Sequence, residues 1–270
     1  MQRYYGSLCS ELYDLTKPVG GHYPDVSYYL RRLSAVGGRV LEAAVGTGRL
    51  LVPLLHAGLQ VEGIDSSTEM LTYCRRNCAA AGLQATLYCG ALETMDLPNR
   101  YTAIVISFGS CMLLSGPGEA TAALDRMRRH LVPGGRLFLD VDAPRIHAGD
   151  SEGRESRRVV HCSDGSTIVL VDAPISYDVT NRIERRLLSY EKSKDGGVVA
   201  REVQDFRLLR YNHDEVRALL TGAGFVNIDV CGDYVEEASV ATAREWLCFS
   251  GQLPSRAPNS ALQRTGSAGR

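Results

Sequence analysis

The chain has 270 residues and a formal net charge of −1 at pH 7, with 44% hydrophobic and 23% charged residues. This size and composition predict a globular protein with a sizeable core, arranged as one large domain or two small ones. The near-neutral charge argues against a nucleic acid backbone as the main partner, because proteins that bind one carry a basic surface.

Neither membrane insertion nor secretion is expected. No stretch approaches the ~18 uninterrupted apolar residues that indicate a membrane-spanning helix. The first nine residues are polar and aromatic, whereas a secretory signal is basic and then apolar. The eight cysteines lack the spacing of a zinc site. We therefore expect reduced thiols, no bound metal and a cytoplasmic location.

The chain begins with two predicted helices, over residues 7–15 and 25–35, the second with apolar side chains at helical spacing. Strands and helices then alternate. Strands are expected at 39–43, 60–64, 84–88, 102–107 and 135–142, and helices at 48–57, 67–81 and 118–131. This alternation predicts a parallel sheet with helices on both faces.

A glycine turn joins the first predicted strand to its helix, in the sequence RVLEAAVGTGR at residues 39–49. Gly46 and Gly48 can adopt the positive φ angles of a tight turn and let the backbone approach a ligand closely. Asp65 ends the next strand, where a carboxylate can accept hydrogen bonds from both hydroxyls of a ribose. The sequence therefore predicts a nucleoside-cofactor site at the carboxyl ends of the strands.

Leu51 bears on the choice of cofactor. NAD-binding turns have a third glycine, in the pattern G-x-G-x-x-G, which lets helix and strand pack closely around a pyrophosphate. That glycine would stand at position 51, which is leucine. The residue argues for a cofactor without a pyrophosphate, and an NAD(P)-dependent oxidoreductase is kept as a hypothesis from another class.

After the fifth strand the pattern changes, and residues 155–211 predict an antiparallel meander of about four strands. Asp164 and Gly165 separate two apolar runs, an arrangement typical of a hairpin. A helix over 213–222 and strands at 225–231 and 245–250 are expected next. We predict a helical lid (1–38), a cofactor-binding core (39–150 and 212–251), a β insertion (151–211) and a disordered tail (252–270).

Taken in order, these motifs resemble the class I S-adenosylmethionine-dependent methyltransferases over roughly residues 1–250. The run from Leu41 to Gly48 resembles the first motif of that family, Asp65 its ribose-binding acid, and 131–135 the turn before its fifth strand. The resemblance implies S-adenosylmethionine as cofactor and a Rossmann-like, seven-stranded, mostly parallel sheet with an inserted antiparallel β layer. It also implies the cofactor-binding residues Tyr13, Glu42, Ala44, Gly46, Gly48, Asp65, Ser66, Met70, Gly90, Ala91, Leu92, Ser107 and Phe108.

Two positions depart from the family pattern. The family often has a glycine where this chain has Ala44, and we expect a negative φ angle there, which alanine tolerates at little cost. The family also often has an acid in the adenine loop, where this chain has Ala91 and Leu92. Either backbone and apolar contacts hold the adenine, or Glu93 reaches into the loop.

The resemblance is nearest to N-methyltransferases that act on amino sugars and amino acids. It implies in-line transfer of a methyl group to a small molecule, with an amine favoured and a hydroxyl possible, by a chain that is a possible homodimer through its β layer. The alternatives are a methyltransferase for RNA or protein and a non-catalytic cofactor-binding protein. The catalytic residues, the acceptor and the oligomeric state are left open, and the candidates for the acceptor pocket are Tyr13, His22, Tyr23, Asp140, His161 and Tyr211.

Overall fold

A computed structural model describes residues 5–116, 118–143 and 154–255 of the chain. Two helices come first, α1 (Ser7–Thr16) and α2 (Pro24–Val36). Proline begins α2, where its missing N–H leaves no intrahelical hydrogen bond unmade. The two helices predicted at the start of the chain are confirmed to within one residue at each end.

Five strands then alternate with three helices. They are β1 (Arg39–Ala43), α3 (Leu51–His56), β2 (Gln60–Asp65), α4 (Thr68–Ala80), β3 (Thr86–Cys89), β4 (Tyr101–Ile106), α5 (Glu119–His130) and β5 (Leu131–Asp142). The largest difference from the prediction at the start of a helix is at α3, which begins three residues later than expected. The glycine turn occupies those residues, because its positive φ angles do not continue into a helix.

The β insertion forms a separate antiparallel sheet in which each strand pairs with the next. Its strands are β6 (Ser156–His161), β7 (Thr167–Asp178), β8 (Ile183–Lys194) and β9 (Gly197–Leu209). The predicted meander of about four strands is confirmed. One face of this sheet packs on α1 through a small apolar cluster that includes Leu8, Leu12, Ile168, Leu188 and Tyr190.

The chain returns to the first sheet through α6 (His213–Gly222), β10 (Val226–Gly232) and β11 (Trp246–Gln252). The seven strands lie in the order β10-β11-β5-β4-β1-β2-β3, and β11 runs antiparallel to both of its neighbours. The predicted fold class, a mostly parallel seven-stranded sheet with an antiparallel β layer, is therefore confirmed. This order brings the carboxyl ends of β1, β2, β3 and β4 to one edge.

Ordered structure continues past residue 252, where a disordered tail was predicted to begin. Leu253 donates its N–H to the carbonyl of Gly135 at 2.8 Å, and its own carbonyl accepts from Gly134 at 3.1 Å. The rest of that predicted tail, 256–270, lies outside the described residues.

Candidate functional site

A cavity of about 410 Å³ lies at the carboxyl edge of the parallel strands. Its volume falls in the usual range for small-molecule sites, about 300–1,000 Å³. The strand ends and the loops after them form part of its wall. The wall also includes Ser110 and Glu119 from the segment after β4, and Ile183 and Arg207 of the antiparallel sheet.

Most residues predicted to bind the cofactor come together here. The large cavity is lined by Tyr13, Ala44, Gly46, Asp65, Ser66, Met70, Gly90, Ala91 and Leu92. A narrower extension shares Tyr13, Ala44, Gly46 and Ser110 with it and is also lined by Glu42, Ser107 and Phe108. Glu93 also lines the large cavity, so its side chain can reach into the adenine loop, which is the second of the two arrangements considered above.

Ala44 has a φ angle of 59°, so the expectation of a negative φ at this position is wrong. The glycines that follow it at 46 and 48 have φ angles of 55° and 84°. A left-handed conformation costs an L-residue roughly 1–2 kcal/mol, because its Cβ approaches the following carbonyl oxygen. The turn therefore holds Ala44 in a strained conformation that glycine would adopt freely.

Gly48 differs from the other predicted residues because it lines neither cavity. A Cβ atom at this position would lie 2.8 Å from Sγ of Cys74 on α4. The glycine therefore lets the turn pack against the next helix, and its role in the structure is close packing.

Asp65 ends β2 and is 8% exposed. Its Oδ2 accepts a hydrogen bond from the N–H of Gly46 and its Oδ1 accepts one from Ser67, both at 2.8 Å. Burial raises the pKa of this carboxyl, and the backbone donors oppose the rise. Each carboxylate oxygen has two lone pairs, so Asp65 can accept two further hydrogen bonds from a ligand.

Glu42 lies in the wall of the narrow extension and is 2% exposed. Its Oε2 has no hydrogen-bond partner among the described residues, and burial raises its pKa well above the ordinary value. The nearby cation Arg49 is held by both carboxylate oxygens of Asp25, at 2.9 and 2.5 Å. A buried carboxyl without a partner is costly, so this position fits a ligand that brings a cation or hydrogen-bond donors.

Phe108 closes the narrow extension, with cations beside its ring. Nζ of Lys17 lies 3.9 Å from the ring centroid of Phe108 and 4.8 Å from that of Tyr13, and the guanidinium of Arg49 lies 4.7 Å from Phe108. Burial lowers the pKa of Lys17 to about 8, and Arg49 adds to the lowering. Sequence reasoning missed both cations, because tertiary packing places them and no motif marks them.

Two of the acceptor-pocket candidates lie in the loop before α2. His22 is exposed, and Tyr23 is the residue at the N-cap of α2. The ring of Tyr23 lies 4.6 Å from the guanidinium of Arg49, which itself lines the narrow extension. The structure therefore places Tyr23 behind Arg49 and leaves His22 outside the cavities.

Three further candidates also lie outside the two cavities. His161 is exposed on β6, with Nδ1 3.2 Å from the hydroxyl of Thr167. Tyr211 lines a separate apolar cavity under α5. Asp140 is fully buried beneath the turn after β4. Of the six candidates, only Tyr13 lines the large cavity or its extension.

Arg207 is a lining residue that sequence reasoning missed. It belongs to β9 and lines the large cavity, and its Nη2 donates to Asp205 at 3.1 Å. Its Nε is buried without a hydrogen-bond partner in the described part of the chain. No local signal marks this arginine, because its position depends on how the antiparallel sheet docks.

Two negative findings concern the described residues only. No three His, Cys, Asp or Glu side chains in these ranges are grouped closely enough to hold a metal ion. None of the helices there combines the length and apolarity that crossing a membrane requires.

Comparison with known proteins shows what the chain is similar to. Residues 40–135, which span the glycine turn, Asp65 and the adenine-side loop, match the family described as a methyltransferase domain. Residues 40–135 of the chain are therefore a methyltransferase domain. One of the solved structures described next is named as an S-adenosylmethionine-dependent methyltransferase, and the glycine turn and ribose-side carboxylate of this site suit that cofactor.

The methyltransferase is similar in sequence to two Streptomyces enzymes. It is 32% identical over 141 residues to the dTDP-3-amino-3,6-dideoxy-alpha-D-glucopyranose N,N-dimethyltransferase of Streptomyces fradiae, covering 50% of this chain and 54% of that enzyme. It is 27% identical over 222 residues to the dTDP-3-amino-3,4,6-trideoxy-alpha-D-glucopyranose N,N-dimethyltransferase of Streptomyces venezuelae, covering 80% of this chain and 89% of that enzyme. The first match thus spans about half of its relative and the second nearly all.

Solved structures show the same fold. An S-adenosylmethionine-dependent methyltransferase from Clostridium acetobutylicum aligns with a TM-score of 0.73 at 16% identity, covering 91% of this chain and 97% of that one. A sugar N-methyltransferase from Streptoalloteichus aligns with a TM-score of 0.70 at 22% identity, covering 94% and 97%. At these identities the alignments support the fold of the methyltransferase and do not identify its acceptor.

Proposed function

We propose that this methyltransferase transfers a methyl group to the amine of a small acceptor of the amino-sugar class. The observation that carries the proposal is the 410 Å³ cavity that continues from Asp65 past Tyr13 to Arg207. Its lining combines the predicted cofactor-binding residues with side chains of the antiparallel sheet, so one space can hold both the cofactor and an acceptor. The Streptomyces relatives act on amino sugars, which supports an amine as the nucleophile.

The residues that line the two cavities support one orientation of the cofactor. We place the adenine at 90–92, the ribose hydroxyls on Asp65, and the cationic methionine end beside Glu42. The free oxygen of Glu42 suits that cation, since pairing would remove the cost of its burial. The reacting methyl group then faces Tyr13 and Phe108, at the junction of the two cavities.

The chemistry asks little of the protein beyond alignment. The cofactor, when bound, supplies an electrophilic methyl group on a sulfonium, and an amine attacks in line if its lone pair is free. Tyr13 and Phe108 exclude water from the methyl end and present ring faces that favour positive charge. No carboxylate pair or triad is needed for this step.

The acceptor is tested with a matched pair of sugar nucleotides. Purified protein is incubated with S-adenosylmethionine and either a dTDP-3-amino-3,6-dideoxy sugar or the same compound with a hydroxyl at that position, and products are read by mass spectrometry. Addition of methyl groups to the amino compound alone supports the proposal. Methylation of the hydroxyl compound alone, or of neither while RNA or protein is methylated, would contradict it.

We also propose that the methyltransferase is cytoplasmic and forms a homodimer through its antiparallel sheet. All eight cysteines lie among the described residues and are free thiols, which supports a reducing compartment. The sheet face opposite α1 exposes Val159, Leu187 and Val203, by 41%, 38% and 62%. An exposed apolar patch on a sheet face supports pairing with a second copy.

A further inference from the structure

Asp140 is a buried carboxylate held by neutral donors. It lies on β5 with 0% exposure. Its Oδ2 accepts hydrogen bonds from the hydroxyls of Tyr29 at 3.0 Å and Tyr234 at 2.7 Å, and its Oδ1 accepts one from the N–H of Gly109 at 3.0 Å. None of the ion pairs among the described residues includes it. A carboxylate in this position is costly to the fold, which calls for an explanation beyond packing.

The hydrogen bond to Gly109 connects Asp140 to the methyl end of the site. Phe108 and Gly109 form the turn after β4 with φ angles of 58° and 69°, and Phe108 lines the narrow extension. A non-glycine residue in the left-handed region persists only where its surroundings hold it there. The Asp140 carboxylate accepts the hydrogen bond of the N–H of Gly109, the residue after Phe108, and so helps to hold this turn.

We propose that Asp140 is a positioning residue for methyl transfer: its carboxylate holds the turn at Phe108 and Gly109 closed over the methyl end, and protonation releases that turn. The inference rests on the proposed function, because the methyl end is assigned there. It adds a residue that touches neither cavity and acts through the backbone of another.

Protonation turns the Asp140 carboxylate, which only accepts hydrogen bonds, into a group that also donates one. The charged form accepts from all three donors. In the protonated form a tyrosine hydroxyl can rotate to accept the new proton, but the N–H of Gly109 loses its charged acceptor and its hydrogen bond to Asp140 weakens. Burial raises the pKa of Asp140 to about 7, which the three hydrogen bonds oppose and the charge of Asp25 supports. The titratable groups that face it are Asp25 and Tyr29 from α2, Cys111 from the turn after β4, Tyr234 from the loop after β10, and Cys248 from β11.

Trp246, the single tryptophan of the chain, reports on this turn. Its ring centroid lies 5.0 Å from that of Phe108 and 6.1 Å from that of Tyr234. A Cβ atom on Gly109 would lie 3.1 Å from the Trp246 ring. Movement of the turn therefore changes the environment of one fluorophore, and no acceptor is needed to detect it.

The experiment is a fluorescence titration of the full-length protein from about pH 5.5 to about pH 9. We expect one transition near pH 7 in the wild type and a flat profile in Asp140→Asn, whose amide reproduces the uncharged carboxyl. Tyr234→Phe removes a donor to the charged form and should move the midpoint to higher pH. Asp142→Asn is the control, because Asp142 pairs with Trp246 across the strands and forms an ion pair with Arg210.

An unchanged transition in folded Asp140→Asn, or an unmoved midpoint in Tyr234→Phe, would overturn the inference. Tyr234→Phe keeps the test decisive if Asp140→Asn does not fold. With an acceptor identified, kcat of Asp140→Asn at pH 8 should fall to the wild-type value at pH 6, with affinity for S-adenosylhomocysteine changed less than about threefold. Failure of the wild type to bind S-adenosylhomocysteine would instead contradict the proposed function, independently of the titration.

Discussion

At the scale of single residues, Asp65 is the most direct test of the cofactor orientation. We predict that Asp65→Ala weakens binding of S-adenosylhomocysteine by about 1–3 kcal/mol, the range for hydrogen bonds to a charged group. Calorimetry measures the change, with Asp229→Ala, an exposed carboxylate on β10, as the control. Unchanged affinity in a folded Asp65→Ala variant would refute the ribose assignment.

Arg207 tests where the acceptor binds. The buried Nε of Arg207 has no hydrogen-bond partner among the described residues, and a hydrogen bond to a ligand would remove the cost of burying it. We therefore expect an acceptor with an anionic group to bind there. Arg207→Gln should raise KM for such an acceptor about tenfold while leaving the affinity for S-adenosylhomocysteine unchanged. Arg185→Gln is the matched control, because Arg185 also pairs with Asp205 but does not line the cavity. Equal effects of both variants would indicate that only the ion pair matters.

The residue scale is also where sequence reasoning was least complete. Asp65, Gly46 and the adenine-side loop were predictable, since strand ends of a parallel sheet converge whatever the details of packing. The sign of φ at Ala44 was not, because an alanine gives no local indication of a left-handed turn. Lys17 and Arg207 were missed because helix and sheet docking bring them to the site.

At the scale of elements, the antiparallel sheet lines the cavity and carries the proposed dimer interface. We predict that the wild type elutes as a dimer and that Val203→Lys, which puts a charge on the exposed face, shifts it to monomer. Light scattering after size exclusion measures the mass. Val226→Lys is the control, because Val226 is also an exposed valine but lies on β10, an edge strand of the larger sheet. A monomeric wild type would contradict the dimer proposal and leave the site unaffected.

Element types were predictable because their patterns are periodic. Hydrophobic spacing and turn residues predicted the alternating strands and helices and the meander, and these are confirmed. Boundaries were less predictable. The start of α3 depends on the glycine turn, and the end of β11 depends on pairing with β5, which no local pattern encodes.

At the scale of the whole molecule, buried carboxyls make stability depend on pH. The pKa of Asp140 rises from 3.8 to about 7, and burial also raises the pKa values of Glu42 and Asp65. A raised carboxyl pKa stabilises the fold fully below the unfolded pKa, and this contribution is lost as pH rises through the folded pKa. We therefore predict that the free energy of unfolding falls between about pH 4 and pH 7, by up to the order of 4 kcal/mol from Asp140 alone.

Urea denaturation at several pH values measures this dependence. Asp140→Asn should flatten the curve and be at least as stable as the wild type at pH 8, although its activity is reduced. A wild-type stability that rises over this range would show that the carboxyls are not desolvated as the structure places them.

The assignment of S-adenosylmethionine to the cavity can be tested by calorimetric titration of the purified protein with S-adenosylhomocysteine and, separately, with NADH. The absence of a third glycine at Leu51 and the free carboxyl of Glu42 both favour the first ligand. We predict binding of S-adenosylhomocysteine in the micromolar range and no measurable binding of NADH. Binding of NADH alone would contradict this assignment and favour an NAD(P)-dependent oxidoreductase.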